Sequence, residues 1–303
     1  DRDLGRRGAR MRIMVTGAGG FVGGALAERL AEQGHQVVAH YRRAPVKQEP
    51  RLSVVVADLA AAPPNVDGRI DLLVHAAAAA AADHEPGGGD PDRYLRDNVI
   101  AAQNLAAWVA DGRVGAILML SSLSVYGAVD DDTVTPDSPI NGPGLYGASK
   151  LFAERVLAGN DCGVPVIAAR LPGVIGPAAP RNWLRAVLAK LRAGAEVAIF
   201  NPDAPFNNAV HVDDLAVWAG HLAGAPWRGS HVVTLGAATP LTVAAVVARM
   251  RTALASAAPV VTQPAPRSSF QISIAAAERF GYRPMTMAAM LDRFVLENRG
   301  GDV

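Results

Sequence analysis

The sequence holds a single cysteine, Cys162. No disulfide can therefore form within the chain, and a reducing compartment, the cytoplasm, is the expected setting. No uncharged apolar run reaches the length needed to span a bilayer. Neither sign of charge dominates: 29 basic residues stand against 28 acidic ones. That balance argues against nucleic acid or a membrane surface as partner. The opening residues, DRDLGRRGAR, lack an apolar h-region and do not read as a signal peptide. They read as an upstream extension or a cloning remnant, with Met11 as a candidate start. No repeat of solenoid period is visible, and no metal site is expected.

What is present is a chain of 303 residues, half of them apolar, enough for a full core. The stretch Met11 to Gly34 organises it. Arg12 to Thr16 reads as a buried parallel strand, Gly17, Gly20 and Gly23 follow, and a helical apolar face then runs to Gly34. Strand, glycine turn and helix in that order form a dinucleotide-binding βα unit. Gly17 permits a tight turn, Gly20 lets backbone approach a pyrophosphate, and Gly23 lets helix and strand pack closely. The helix start at Phe21 and Val22 then offers N–H groups and partial positive charge to the phosphates.

His35 to His40 reads as the second strand, and the ribose selector of such folds sits at its end. Tyr41, Arg42 and Arg43 stand there instead of a carboxylate. A guanidinium can take a 2′-phosphate in fork geometry, so NADP(H) is the expected cofactor, with NAD(H) possible. The alternative is a solvated pair of loop arginines. Leu52 to Val56 is the third strand. Asp58 after it either bonds the adenine amino group or caps a turn, with Leu59 beside it. Ile70 to His75 is the fourth strand. Ala76 and its neighbours leave room for the cofactor, and His75 reads as structural. A glycine- and proline-rich loop, His84 to Asp92, follows. Pro91 to Asp111 reads as one helix, and Val114 to Leu120 as a fifth strand running into Ser121-Ser122. Tyr146 to Leu157 is helical and Val164 to Leu171 a sixth strand. Strand–helix alternation predicts an open parallel sheet with helices on both sides. Beyond it come helices at Trp183 to Ala193, Leu241 to Ala255 and Ala288 to Asn298, while Val210 to Ala223 is expected to return to the sheet and Val232 to Leu235 to be a short strand.

Tyr146 and Lys150 lie four apart on a helix and so face the same way. A phenol titrates near pH ~10. A neighbouring ammonium and a cationic nicotinamide both favour the phenolate. Tyr146 is therefore the candidate general acid or base, Lys150 its tuner and ribose anchor, and Ser122 a hydroxyl for the same substrate oxygen.

With these residues in place the chain resembles an extended short-chain dehydrogenase/reductase, the group of nucleotide-sugar epimerases, dehydratases and ketoreductases. The resemblance runs from about Met11 to Phe294. Its marks are Thr16 to Gly23, Asp58-Leu59, Asn98, Ser121-Ser122 with Val125-Tyr126-Gly127, Tyr146 to Lys150, Arg170-Leu171-Pro172, His211 to Ala216 and Glu278 to Pro284. It implies a Rossmann α/β fold, a doubly wound parallel sheet with a small C-terminal substrate-binding lobe. The sheet domain would be 11–172 with 210–237, and the lobe 173–209 with 238–299. It implies Ser122, Tyr146 and Lys150 as catalytic triad, Asn98 supporting the lysine through water, Pro172 beside the cofactor, and a homodimer through helices 91–111 and 144–159.

The departures bear on substrate. Leu123 and Ser124 stand where the 4,6-dehydratases place Asp-Glu, which argues against dehydration. Gly173 replaces an asparagine that contacts substrate, and Asn207 replaces an arginine that holds a diphosphate. Arg181 or Arg185 either restores that charge or is an exposed helix residue. Ser124, Gly173, Arg181 and Asn207 are the candidate substrate contacts. The leading expectation is an NADP(H)-dependent reductase of a ketone or aldehyde on a sugar-like substrate. The alternatives are a nucleotide-sugar 4-epimerase with tightly held NAD and, last, a non-enzymatic cofactor sensor.

Overall fold

A computed structural model describes residues 10–46, 49–80, 89–159, 163–177, 179–180, 182–265 and 268–298. Cys162, Arg181 and most of the loop from His84 lie outside the described residues. The chain opens with β1 (Arg12–Thr16), α1 (Phe21–Glu32), β2 (Gln36–Tyr41), β3 (Leu52–Val56) and β4 (Leu72–His75), and β5 (Ile117–Ser122) follows. These strands join Val166–Leu171 and Ser230–Thr234 in a seven-stranded sheet. Its order is β3, β2, β1, β4, β5, Val166–Leu171, Ser230–Thr234. The pairs β3–β2, β2–β1, β1–β4 and β4–β5 are parallel. The order reverses direction between β1 and β4, the switch point at which such sheets bind ligands. Register places Thr16 opposite both His40 and His75.

The chain divides into two compact units. One comprises the residues through Ser121 with Ala148–Ala168 and Leu215–His231; the other comprises Ser122–Gly147, Ala169–Asp214 and Val232 onward. The core of the first packs Met14, Val38 and Leu73 of the sheet against Leu105, Trp108 and Leu157. The core of the second is helical, with Leu188, Val247, Met290 and Phe294 from the helices Trp183–Arg192, Val243–Ala253 and Met287–Glu297. Short strand pairs brace it, among them Gly173–Ile175 with Ala209–His211 and Thr133–Val134 with Gln271–Ile272.

Three expectations need correction. The helix read over Pro91 to Asp111 is broken into a short turn, Pro91–Tyr94, a π-helix, Leu95–Ile100, and an α-helix, Ala101–Val109. A π turn inserts an extra residue and re-aims the side chains around it. Val210 to Ala223 does not return to the main sheet: Ala209–His211 pairs with Gly173–Ile175, and Val212–Gly224 is a helix. Its burial recurs at Val212, Leu215, Ala216, Ala219 and Leu222, a helical spacing, and Asp213 and Asp214 sit in its first turn. The fifth strand is displaced toward the C-terminus, so Ser121 and Ser122 belong to β5 itself and Val114 keeps only an isolated bridge to Ile70.

Candidate active site and dinucleotide cleft

The glycine turn works by close approach. Gly17 has a φ of 74°, and a Cβ at Gly23 would fall 2.2 Å from the Gly17 carbonyl oxygen. Helix α1 therefore starts hard against the turn that leaves β1. Gly20 caps α1 without any side-chain bond to the first N–H groups, so the N–H groups at the start of α1, among them those of Phe21 and Val22, have no capping side chain. Buried polar side chains fix the turn from beneath. Thr16 Oγ1 accepts the N–H groups of Ala76 (3.2 Å) and Ala77 (3.1 Å) and contacts His75 Nδ1 at 2.9 Å. With both acceptor positions used, the hydroxyl donates to His75, which must be neutral. Burial, then the charge of Lys150, pushes His75 down to about 3, so it remains neutral near pH 7 and serves structure. His40 Nδ1 accepts the Gly17 N–H (3.3 Å), and its Nε2–H donates to the Ala57 carbonyl (2.9 Å). Sequence reading missed this tie between the glycine turn and the end of β3.

Above the turn opens a cleft of about 400 Å3, within the range of ligand sites. Of the residues expected to hold a cofactor, Gly17, Gly20, Arg42, Arg43, Asp58, Leu59 and Ala76 line it. Phe21 and Val22 open α1, Gly23 packs beneath, and Pro172 belongs to the other unit. The uncapped helix start and the small glycine and alanine walls suit a dinucleotide pyrophosphate. A chain of ion pairs crosses the rim. Arg42 Nη1 meets Asp97 Oδ2 at 2.9 Å, Asp97 meets Arg96 at 3.2 Å, and Arg96 reaches Asp58. Asp58 also accepts the Ala60 N–H at 3.2 Å. Asp97 and Arg96, unforeseen in the sequence, come from the π segment.

The residues of the expected triad sit on two elements. Ser122 ends β5 and caps the 3-10 turn Leu123–Tyr126; its Oγ accepts the Ser124 N–H at 3.1 Å and donates to Ser124 Oγ at 3.1 Å. Ser124 itself is exposed. Tyr146 is the second residue of the helix Leu145–Ala158. A Cβ at Gly147 would lie 2.0 Å from the Ser124 carbonyl oxygen, so the serine turn and the start of the tyrosine helix touch through that glycine. One turn further on, Lys150 is buried, and burial lowers it to about 8 against the opposing pull of Glu154. Glu154 is buried as well and accepts the Ser121 hydroxyl.

Asn98 binds protein rather than open solvent. Its Oδ1 accepts the Ala79 N–H at 2.7 Å, and its Nδ2 donates to Ser149 Oγ at 2.8 Å. It joins the loop after β4 to the tyrosine helix. Arg170 lies over the Tyr126 ring, 4.7 Å from its centroid, and Tyr126 donates to the Thr135 carbonyl at 2.7 Å.

The expected substrate contacts fare unevenly. Gly173 is exposed, with Asn182 Cβ 3.8 Å from where a Cβ would stand. Arg185 donates to Asn298 Oδ1 at 3.2 Å. Asn207 needs correction: it is buried, its Nδ2 donates to the carbonyls of Ala237 and Ile272, and its Oδ1 accepts the Ile272 N–H. Its amide braces backbone and has no donor left to offer a ligand. His211 is likewise structural, donating from Nε2 to Glu297 at 3.0 Å while Nδ1 accepts the Asp213 N–H. Among the described residues no cluster of His, Cys, Asp and Glu is placed to hold a metal ion, and no helix is long and apolar enough to cross a membrane.

Known proteins resemble this chain in sequence and fold. The 2-alkyl-3-oxoalkanoate reductase of Stenotrophomonas maltophilia (strain K279a) is 34% identical over 203 residues, 60% of this chain and 58% of that one. The chain thus spans little more than half of that relative. The UDP-glucose 4-epimerase of Neisseria meningitidis serogroup B is 29% identical over 271 residues, 74% of this chain and 77% of its own. Among solved structures, MoeE5 in complex with UDP-glucuronic acid and NAD is 26% identical with a TM-score of 0.75, covering 95% of this chain and 99% of that one. WbmG of Bordetella bronchiseptica, in complex with NAD and UDP, shares the fold with a TM-score of 0.77 at 22% identity, covering 96% of each chain. A family model matches residues 13–236, and the chain belongs to the NAD dependent epimerase/dehydratase family.

Proposed function

We propose that the chain is an NAD(P)H-dependent oxidoreductase that reduces a ketone or aldehyde on a polar, sugar-like substrate. The observation that carries this reading is Lys150, a lysine buried to 3% exposure one helical turn beyond Tyr146. Burying an ammonium is costly, and a helix of purely structural purpose would place an apolar side chain there. A bound reduced nicotinamide supplies the hydride. Tyr146 protonates the carbonyl oxygen, the Lys150 ammonium favours its phenolate, and Ser122, turning its hydroxyl proton from Ser124 to the substrate, donates to the same oxygen as charge develops there. Gly17, Gly20 and the start of α1 at Phe21 and Val22 would hold the pyrophosphate, and Asp58 with Leu59 the adenine. Arg42 and Arg43 are proposed to favour NADP(H) over NAD(H). Among the described residues Arg43 makes no ion pair.

The committed amide of Asn207 and the bare Gly173 weigh against a diphosphate held at those positions, and the oxoalkanoate reductase relative accords with a simpler carbonyl substrate. The segments 173–209 and 238–299 are proposed to carry the substrate-facing groups. A second copy is the proposed partner, seated over the exposed Leu145 and Phe152. The second reading, a nucleotide-sugar 4-epimerase, draws on the epimerase relatives and on NAD in the solved neighbours. Release of any cofactor carried by the purified protein, then titration of the emptied protein with NADPH and NADH, separates the two. An empty protein that prefers NADPH supports the reductase. Stoichiometric, tightly held NAD(H) puts the epimerase first.

A further inference from the structure

We infer that Asp97 is a specificity-determining residue that limits how strongly the cleft favours a cofactor bearing a 2′-phosphate. The inference rests on reading the cleft as a dinucleotide site. Arg42 stands just beyond β2, where the adenosine ribose of such cofactors is selected. Its guanidinium is already taken, paired with Asp97 at 2.9 Å, and the Asp97 side chain is only 13% exposed against 52% for Arg42. The anion is the anchored member of the pair and the cation the movable one.

Asp97 is also held from behind. Arg96 pairs with it at 3.2 Å while reaching Asp58, and all of this hangs on the π segment Leu95–Ile100. Both Asp97 and Arg42 line the cleft. The carboxylate that β2 does not provide at the ribose end is thus supplied by a different element, 55 positions further along the chain. A 2′-phosphate that enters must draw Arg42 off Asp97 and then lie beside a fixed negative charge. Both effects oppose NADPH, and neither acts on the uncharged 2′-hydroxyl of NADH. Arg43 escapes this competition, so NADPH is still bound, with its advantage reduced.

The test compares Asp97→Asn with the unaltered chain in equilibrium titrations of NADPH, NADH and adenosine 2′,5′-bisphosphate, a probe without nicotinamide. Asp97→Asn keeps a polar group of the same size, so Arg96 retains Asp58 and a hydrogen-bonding neighbour. The expected result is that NADPH and the bisphosphate bind about tenfold more tightly, the size of gain available from removing one poorly screened like charge, while NADH changes by less than about twofold. In an Arg42→Ala background the same substitution should give a smaller gain, the part due to repulsion by Asp97 alone. An equal change for NADPH and NADH, or weaker NADPH binding, overturns the inference while leaving the cleft a dinucleotide site. Failure of the unaltered chain to bind any of the three removes that reading and the inference with it.

Discussion

Two turns in this molecule use the same device and leave it in opposite states. At the start of α1 the missing Cβ of Gly23 admits the Gly17 carbonyl, and at the start of the tyrosine helix the missing Cβ of Gly147 admits the Ser124 carbonyl. The first turn has no side-chain cap. The serine turn that meets the second is closed on itself, because Ser122, the cap of Leu123–Tyr126, takes the Ser124 N–H. An uncapped helix start is incomplete until an anion arrives. A self-capped turn is complete already, and its hydroxyl oxygens are fixed before any substrate comes. On the proposed function, binding falls to the open turn and chemistry to the closed one.

Breaking the chemistry alone gives the largest expected effect. Tyr146→Phe removes the proton and keeps the ring, so turnover should fall by about 10²–10⁴ while the dissociation constant for cofactor stays within about twofold of the unaltered value. Near-normal turnover would remove Tyr146 from its role. The two glycines sharpen the contrast next. A methyl at either position meets backbone, and forced overpacking costs about 1–3 kcal/mol. Gly23→Ala should weaken cofactor binding first. Gly147→Ala should lower turnover first, with cofactor affinity nearly kept. Titration and steady-state kinetics on both variants decide it; the same pattern in both would mean that the turns are not divided by task.

The third prediction concerns the buried charge of Lys150. Burial favours the neutral amine of Lys150, at about 8 rather than the usual 10.5. Between those values the unfolded chain carries a proton that the folded chain has lost. Stability should therefore rise as pH climbs from about 8 to 10.5, by on the order of 3 kcal/mol from this group. Turnover should fall around pH 8, where the folded chain loses the ammonium. Urea unfolding across pH, with Lys150→Met as the reference that lacks this rise, measures the first. The sequence contains only three lysines, Lys47, Lys150 and Lys190, so side-chain NMR can follow Lys150 directly. Glu154 opposes the shift, and Glu154→Gln should move the lysine lower still.

Local rules made much of this legible in the residues. Strands β1 and β3 match the expected bounds because each is a short apolar run between turn residues. Gly17 and Gly23 follow from steric need, and the Tyr146–Lys150 spacing from helix geometry. What was hidden depends on distant partners. Arg42 meets Asp97 across 55 positions and Arg96 meets Asp58 across 38, and neither pair leaves a local mark. Asn207 reads as a ligand group until the strand holding Ile272, 65 positions away, takes its amide. The run from Val210 was apolar enough for strand or helix; the acidic first turn and the helical burial settle it after three residues of strand. The π segment escaped because a search for helical period does not register one inserted residue.

That segment supplies the smallest effect and the most informative one. Residues 96, 97 and 98 are consecutive, yet Arg96 and Asp97 serve the rim of the cleft while Asn98 points to the Ala79 backbone and Ser149. Ala79 is buried, so deleting the amide strands its N–H without water to replace it. Asn98→Ala should cost about 1–3 kcal/mol, read as a shift of the urea midpoint at constant slope. Asn98→Asp keeps the acceptor for the Ala79 N–H but sets a buried carboxylate against the Ala79 carbonyl that Nδ2 serves, and should cost at least as much. Because Asn98 ties the loop after β4 to the tyrosine helix, turnover should fall with stability in both variants. Turnover lost with Asn98→Asp at nearly full stability would instead give the asparagine a part in the proton path, and move it from the open turn's side of the comparison to the closed one's.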